Sequence, residues 1–310
     1  MIKGSLVPNI TVFDADGKID DAKTRWHMRW MFEKGVDGLF LTGSYGAGPL
    51  MTHEERVHIF KLAKEVAADF GGKTLFGHVG CVDTKGTVAL AQAAQEVGLD
   101  AVSSVPPFYY KYTDEEIIRF YTALIKAVDI PVFAYNNPST TRFTFNAGIV
   151  RKLQEVGLKG LKDSPLAVGF LSVVQYEAKH TGKDFQVIIG SSIGWLPYHY
   201  MGVEAMIAGM NNYAPEIITH MLKATVAGEK EKAEKAYLAM MKVSKAMHFT
   251  DSTIATHMAL YARGFDAGFA RQPFQLPPFS DPQYANLGKM LRTHFDELGL
   301  ELTTGDHKIG

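Results

Sequence analysis

Cysteine is almost absent: Cys81 is the single one among 310 residues. That excludes an internal disulfide and fits a reducing compartment. Neither sign of charge is in excess, with 32 Lys and Arg against 33 Asp and Glu and no run of like charge. Nucleic acid or an anionic membrane selects a basic stripe, so neither is expected as a partner. Apolar runs fall short of the ~20 residues a membrane helix needs. Met1–Ile10 also lacks the charged-then-apolar layout of a signal peptide. A cytoplasmic protein is expected. Metal spacing is missing too, because His53 and His58 sit on a predicted helix without the HExxH pattern. A surface or supporting role is the default for all 11 histidines. Cys81 reads as a small buried side chain rather than a nucleophile. The remainder, 46% hydrophobic and 21% charged, is ordinary globular composition with ample core.

What the chain does have is alternation. Short apolar runs at Leu6–Val12, Gly38–Thr42, Thr74–Val79, Ala101–Val105, Pro131–Tyr135, Leu158–Lys162, Phe185–Ile189 and Ala205–Ala208 are separated by helical patterns. Thr52 with Glu55, and Thr113 with Glu116, fit the capping box that starts a helix. A glycine, an apolar anchor, a polar residue and a small residue recur at the helix-to-strand joins beginning at Gly35, Gly98, Gly157 and Gly202. Repeated strand–helix units with parallel strands close most naturally into a (β/α)8 TIM barrel; an open doubly wound sheet is the main rival. After Ala208 the pattern turns helical, at Tyr213–Ala227, Glu229–Met247, Ser252–Arg263 and Asp281–Leu298. The expected organisation is a catalytic barrel over residues 1–227 and a C-terminal helical domain over 228–310, with a frayed tail from Thr303.

Chemistry in such barrels gathers at the C-terminal ends of the strands. That rim carries Gly43-Ser44-Tyr45-Gly46-Ala47-Gly48, Phe108-Tyr109-Tyr110, Tyr135-Asn136, Lys162-Asp163, Gly190-Ser191 and Gly209-Met210-Asn211. It holds hydroxyls, phenols and backbone amides with one lysine among them. Lys159 and Lys162 differ by three positions and so face opposite sides of the sheet; Lys159 lies at the far end, which leaves Lys162 as the candidate. A solvated strand-end lysine is the plain alternative, but Tyr135 nearby and the Ser44 loop favour imine chemistry. An amine among apolar groups loses its charge preference and attacks carbonyls, and a phenol can carry the protons. The glycine loop follows GxxGxG rather than GxGxxG, and no acid ends the next strand, so a carboxylate is a better occupant than a dinucleotide. The Phe108–Tyr110 run leaves open rim packing, covering of a site, or bridging of subunits.

Read together, Gly43-Ser44-Tyr45-Gly46, Tyr135-Asn136-Asn137-Pro138, Gly160-Leu161-Lys162-Asp163 and Gly190-Ser191 resemble the dihydrodipicolinate synthase / N-acetylneuraminate lyase family, in this order and over nearly the whole chain. The resemblance implies a pyruvate-dependent class I aldolase barrel with a helical C-terminal domain, commonly a homotetramer, needing no metal or organic cofactor. By position it implies that Lys162 forms the Schiff base, that Tyr135 shuttles protons, and that Ser44 and Tyr45 supply the hydroxyls of the loop. Tyr109 matches the tyrosine that a neighbouring subunit places near the relay. Gly43, Ser44, Tyr45, Thr140, Gly190, Ser191 and Ile207 are the implied substrate contacts. Departures narrow the reading. Thr140 stands where the synthases carry an arginine for the aldehyde's carboxylate, with Arg142 two residues on; Ala47 replaces a glutamate, and Tyr45 a small hydroxyl. Gly46-Ala47-Gly48-Pro49 and Ala208–Glu216 are more similar to 2-keto-3-deoxygluconate aldolases. The expectation is reversible cleavage of a 2-keto-3-deoxy sugar acid to pyruvate and an aldehyde. A 4-hydroxy-tetrahydrodipicolinate synthase-like condensation, N-acetylneuraminate lyase activity, a 2-keto-3-deoxy acid dehydratase and a non-catalytic sugar-acid binding protein stay open.

Overall fold

The computed structural model describes residues 1–182 and 184–307. Strands and helices alternate as β1 (Gly4–Val7), α1 (Asp21–Glu33), β2 (Gly38–Leu41), α2 (His53–Ala67), β3 (Thr74–His78), α3 (Thr84–Val97), β4 (Ala101–Ser104) and α4 (Asp114–Lys126). They continue with β5 (Val132–Asn136), the short α5 (Pro138–Thr141), α6 (Ala147–Glu155), β6 (Gly160–Asp163), α7 (Val168–His180), β7 (Gln186–Ile189), α8 (Trp195–Tyr200), β8 (Ala205–Ile207) and α9 (Pro215–Val226). All strand pairs are parallel, and β8 pairs back onto β1, so the sheet closes into the expected TIM barrel and not the open doubly wound alternative. Beyond it come α10 (Lys230–Ala246), α11 (Ser252–Ala262) and α12 (Gln283–Leu298).

The local signals act as their chemistry requires. Thr52 and Thr113 each make a reciprocal capping box with the glutamate three residues on. Gly35, Gly98, Gly157 and Gly202 all turn with φ between 84° and 106°, the left-handed region where a side chain would be strained. The first strand is shorter than the run Leu6–Val12 suggests. Pro8 follows Val7 without an N–H to donate, and the amides of Ile10 and Val12 go to the side chains of Asn212 and Thr24.

Two apolar layers result. Leu6, Phe40, Phe76, Phe133, Tyr135, Ile188 and Ile207 fill the barrel's interior, and a larger layer lies between strands and helices. The C-terminal helices are fastened to the barrel by Arg263, 1% exposed, which donates to both Glu216 oxygens, to the carbonyl of Tyr213 and to that of Thr303. This corrects the expected fraying from Thr303. Gly305 donates to the Arg263 carbonyl at 2.9 Å and His307 to that of Gly264 at 2.8 Å, so the segment is tied down to His307. The last three residues of the expected tail lie outside the described residues. No helix among the described residues is long and apolar enough to cross a membrane.

Candidate active site

Lys162 is the starting point because its surroundings are chemically one-sided. Register places it directly beside Tyr135 across β5 and β6, and strand parity turns both side chains into the barrel. The lysine Nζ lies 3.4 Å from the centroid of the Tyr135 ring and 4.2 Å from that of Phe40. With 3% of its surface exposed and desolvation as the cause, its pKa falls well below the ordinary lysine range. No carboxylate among the described residues forms an ion pair with it to restore the charge, and the aromatic faces offset the burial only in part. Lys159 is on the outside, paired with Asp184 at 2.9 Å, as its parity requires.

The Tyr135 phenol accepts a hydrogen bond from Ser164 Oγ at 3.2 Å. Burial pushes its pKa up to about 12, so it keeps its proton and serves as a donor. The alternate positions of the same strands do a different job. Asn136 donates to Asp163, whose other oxygen accepts the Leu166 amide at 2.8 Å, and this fixes the chain after β6. Burial raises the Asp163 carboxyl's pKa against these bonds. Gly190 makes room for Ser164: a Cβ there would press on Ser164 Oγ and on the Asp163 carbonyl.

Between β2 and α2, the glycine loop turns through Thr42 (φ 52°) and Ala47 (φ 56°). Gly48 donates to the Gly43 carbonyl at 3.1 Å and has no room for a Cβ, which would strike the Thr42 carbonyl. Among the described residues the amides of Ser44 and Tyr45 have no acceptor, and Ser44 is exposed. Two such amides at a strand-to-helix turn make a place for a carboxylate. The Tyr45 side chain crosses the mouth toward β8. Gly209 is its seat, since a Cβ there would overlap the phenol oxygen. Burial, with Asp251 beside it, raises the pKa of that phenol, while the neighbouring Ser252 side chain lowers it.

These groups surround a cavity of about 410 Å³ at the C-terminal end of the barrel. Lys162, Tyr135, Ser44, Tyr45, Thr140, Gly190, Ser191 and Ile207 line it together. Gly43 is absent from the lining and packs instead under the loop against Phe40. Tyr109 is also outside it: 80% exposed with φ 89°, it lines a separate cleft beside Tyr110. Arg142, in the left-handed cap of α5, is exposed and does not line the cavity. Among the described lining residues Lys162 is the sole Lys or Arg, and Asp251 the sole carboxylate.

Several participants were not singled out by sequence. Ser164 sits two residues past the lysine, and Gly209 carries no motif that marks it as the seat of a phenol. The stretch from Ser244 to Thr256 lines the cavity from the C-terminal helices, which no local motif signals. Four histidines, His27, His78, His257 and His294, are buried, and of these His78 takes a supporting place beside the site. His78 stacks edge-on to Tyr135 at 5.9 Å, its carbonyl is held by Arg56, and burial, Arg56 and Lys162 keep its imidazole neutral. Cys81 is half-buried, and its thiol is raised by burial, consistent with an inert side chain. Among the described residues no three His, Cys, Asp or Glu side chains gather as a cation site.

Comparison with known proteins agrees with this geometry. The dihydrodipicolinate synthetase family model matches residues 1–294, and the chain belongs to that family. It is 31% identical over 276 residues to an uncharacterized DapA-like lyase of Halobacterium salinarum, covering 88% of each. It is 28% identical to the 4-hydroxy-tetrahydrodipicolinate synthase of Moorella thermoacetica, over 86% of this chain and 90% of that one. The prophage protein YagE of Escherichia coli K12, solved with pyruvate, superposes with a TM-score of 0.87 at 25% identity, over 95% of this chain and 99% of YagE. The protein is therefore an enzyme of the Schiff-base lyase and aldolase class.

Proposed function

We propose that the protein cleaves a 2-keto-3-deoxy sugar acid reversibly to pyruvate and an uncharged polyhydroxy aldehyde. The neutral Lys162 amine adds to the C2 carbonyl. Tyr135 gives its proton to the departing carbinolamine hydroxyl, which leaves as water, and becomes a phenolate beside the iminium. The phenolate takes the C4 hydroxyl proton, the C3–C4 bond breaks, and its electron pair moves into the iminium to give an enamine and the aldehyde. Tyr135 then gives that proton to C3 and takes one back from the water that adds to the iminium, and the carbinolamine collapses to pyruvate and the neutral Lys162 amine. The Ser44 and Tyr45 amides hold the C1 carboxylate, while Ser164 steers the phenol. Tyr109 is assigned a part only across a subunit contact, in the homotetramer that the resemblance implies.

One observation favours this reading over condensation with an anionic aldehyde. Beyond the buried Lys162, the described lining has no lysine or arginine to meet a second carboxylate, and Arg142 lies off the cavity. The test is a product assay on a panel of 2-keto-3-deoxy acids. Pyruvate and aldehyde in equal amounts support the proposal. A dioxo acid without aldehyde makes the protein a dehydratase, and binding without turnover makes it a sensor.

A further inference from the structure

We infer that Asp251 acts as a charge filter on the wall that the C-terminal helices give the Lys162 cavity, favouring keto acids whose distal end is an uncharged polyol over those ending in phosphate or a second carboxylate. This rests on the aldolase reading of Lys162. The wall is built by the C-terminal helices, not the barrel: Ser244, His248, Asp251, Ser252 and Thr256 line it. Ser139, Thr140 and Ser191, from the loops after β5 and β7, line the same cavity. Side-chain hydroxyls of this kind suit a chain of substrate hydroxyls. The cavity offers an anion only a limited welcome. The glycine loop presents two unbonded amides, sufficient for one carboxylate. Beyond those amides and Lys162, the described lining offers an anion no lysine or arginine, and exposed Asp251, beside the Tyr45 phenol, repels a second one.

Asp251 has a plainer duty as well. It caps α11, accepting the Thr253 amide at 2.8 Å. Asparagine caps a helix equally well, so Asp251→Asn removes the charge and keeps the cap. The experiment traps the imine of two keto acids with borohydride, 2-keto-3-deoxygluconate and its 6-phosphate, and reads adduct formation at Lys162 by mass. Wild-type enzyme at low salt is expected to trap the uncharged-tail acid about tenfold faster. The ratio should narrow severalfold in D251N and on raising the salt. It should persist in His248→Gln, which tests the other titratable side chain of the wall. Equal trapping of the two acids by wild type, or a ratio unchanged in D251N, overturns the filter. Failure to trap the uncharged acid at all overturns instead the imine reading beneath it.

Discussion

Lys162 stores its reactivity as a folding cost. An exposed lysine in the unfolded chain titrates at ~10.4, whereas the folded, buried amine titrates well below that. Between the two values the unfolded state binds more protons, so stability rises with pH through that window and is lost as pH falls. Lys162→Met removes the buried amine and should stabilise the fold by about 1–3 kcal/mol in urea unfolding, with activity abolished. A destabilised variant would mean that the amine is paired. The same shift sets the pH profile: kcat/KM should fall on the acid side as Lys162 gains its proton. No alkaline limb should come from Tyr135 below its pKa of about 12. Lys162 was legible in sequence because parity, together with its place at the C-terminal end of the strand, separates it from Lys159. His78 was not, because a histidine at the end of β3 has no local pattern that tells a buried ring from a solvated one.

At the level of elements, the barrel's order was readable because each unit repeats its own stop signals. The glycines closing α3 and the turn into β6 are required by backbone conformation, and Thr52 and Thr113 declare their helices by capping. Strand ends were less legible, since Pro8 interrupts an apolar run that continues in sequence but not in the ladder. The neighbours of a site depend on approaches between distant segments, as with Tyr45 and Gly209. That pair carries a prediction. Gly209→Ala should displace the phenol, because the added methyl overlaps its oxygen. Activity should drop by roughly 10-fold or more, while Tyr45→Phe in the same background should cost little further. Independent, multiplying losses would show that Gly209 acts some other way.

Across the whole molecule, the C-terminal helices complete the cavity, so their attachment is also a functional matter. Arg263 is the fastening. Its guanidinium is bonded to Glu216 at 2.9 and 3.1 Å and lies over the rings of Trp30, Phe265 and Phe295. Arg263→Met leaves the Glu216 carboxylate without this partner and should cost about 3–5 kcal/mol in chemical unfolding. A loss under 1 kcal/mol would show that the helices hold without it. Sequence marked these segments as helical but could not place Asp251 and Ser252 over the barrel mouth. Their position follows from how α10 and α11 pack, not from anything within ten residues of them.

The central claim is that this one lysine becomes covalently bound to substrate. Incubating the protein with pyruvate and borohydride, then mapping the adduct by peptide mass spectrometry, tests it most directly. The reduced pyruvate adduct should appear on the peptide holding Lys162, be absent from Lys162→Met, and persist in Tyr135→Phe at a lower rate. An unmodified Lys162, or an adduct on another lysine such as Lys159, would contradict the account.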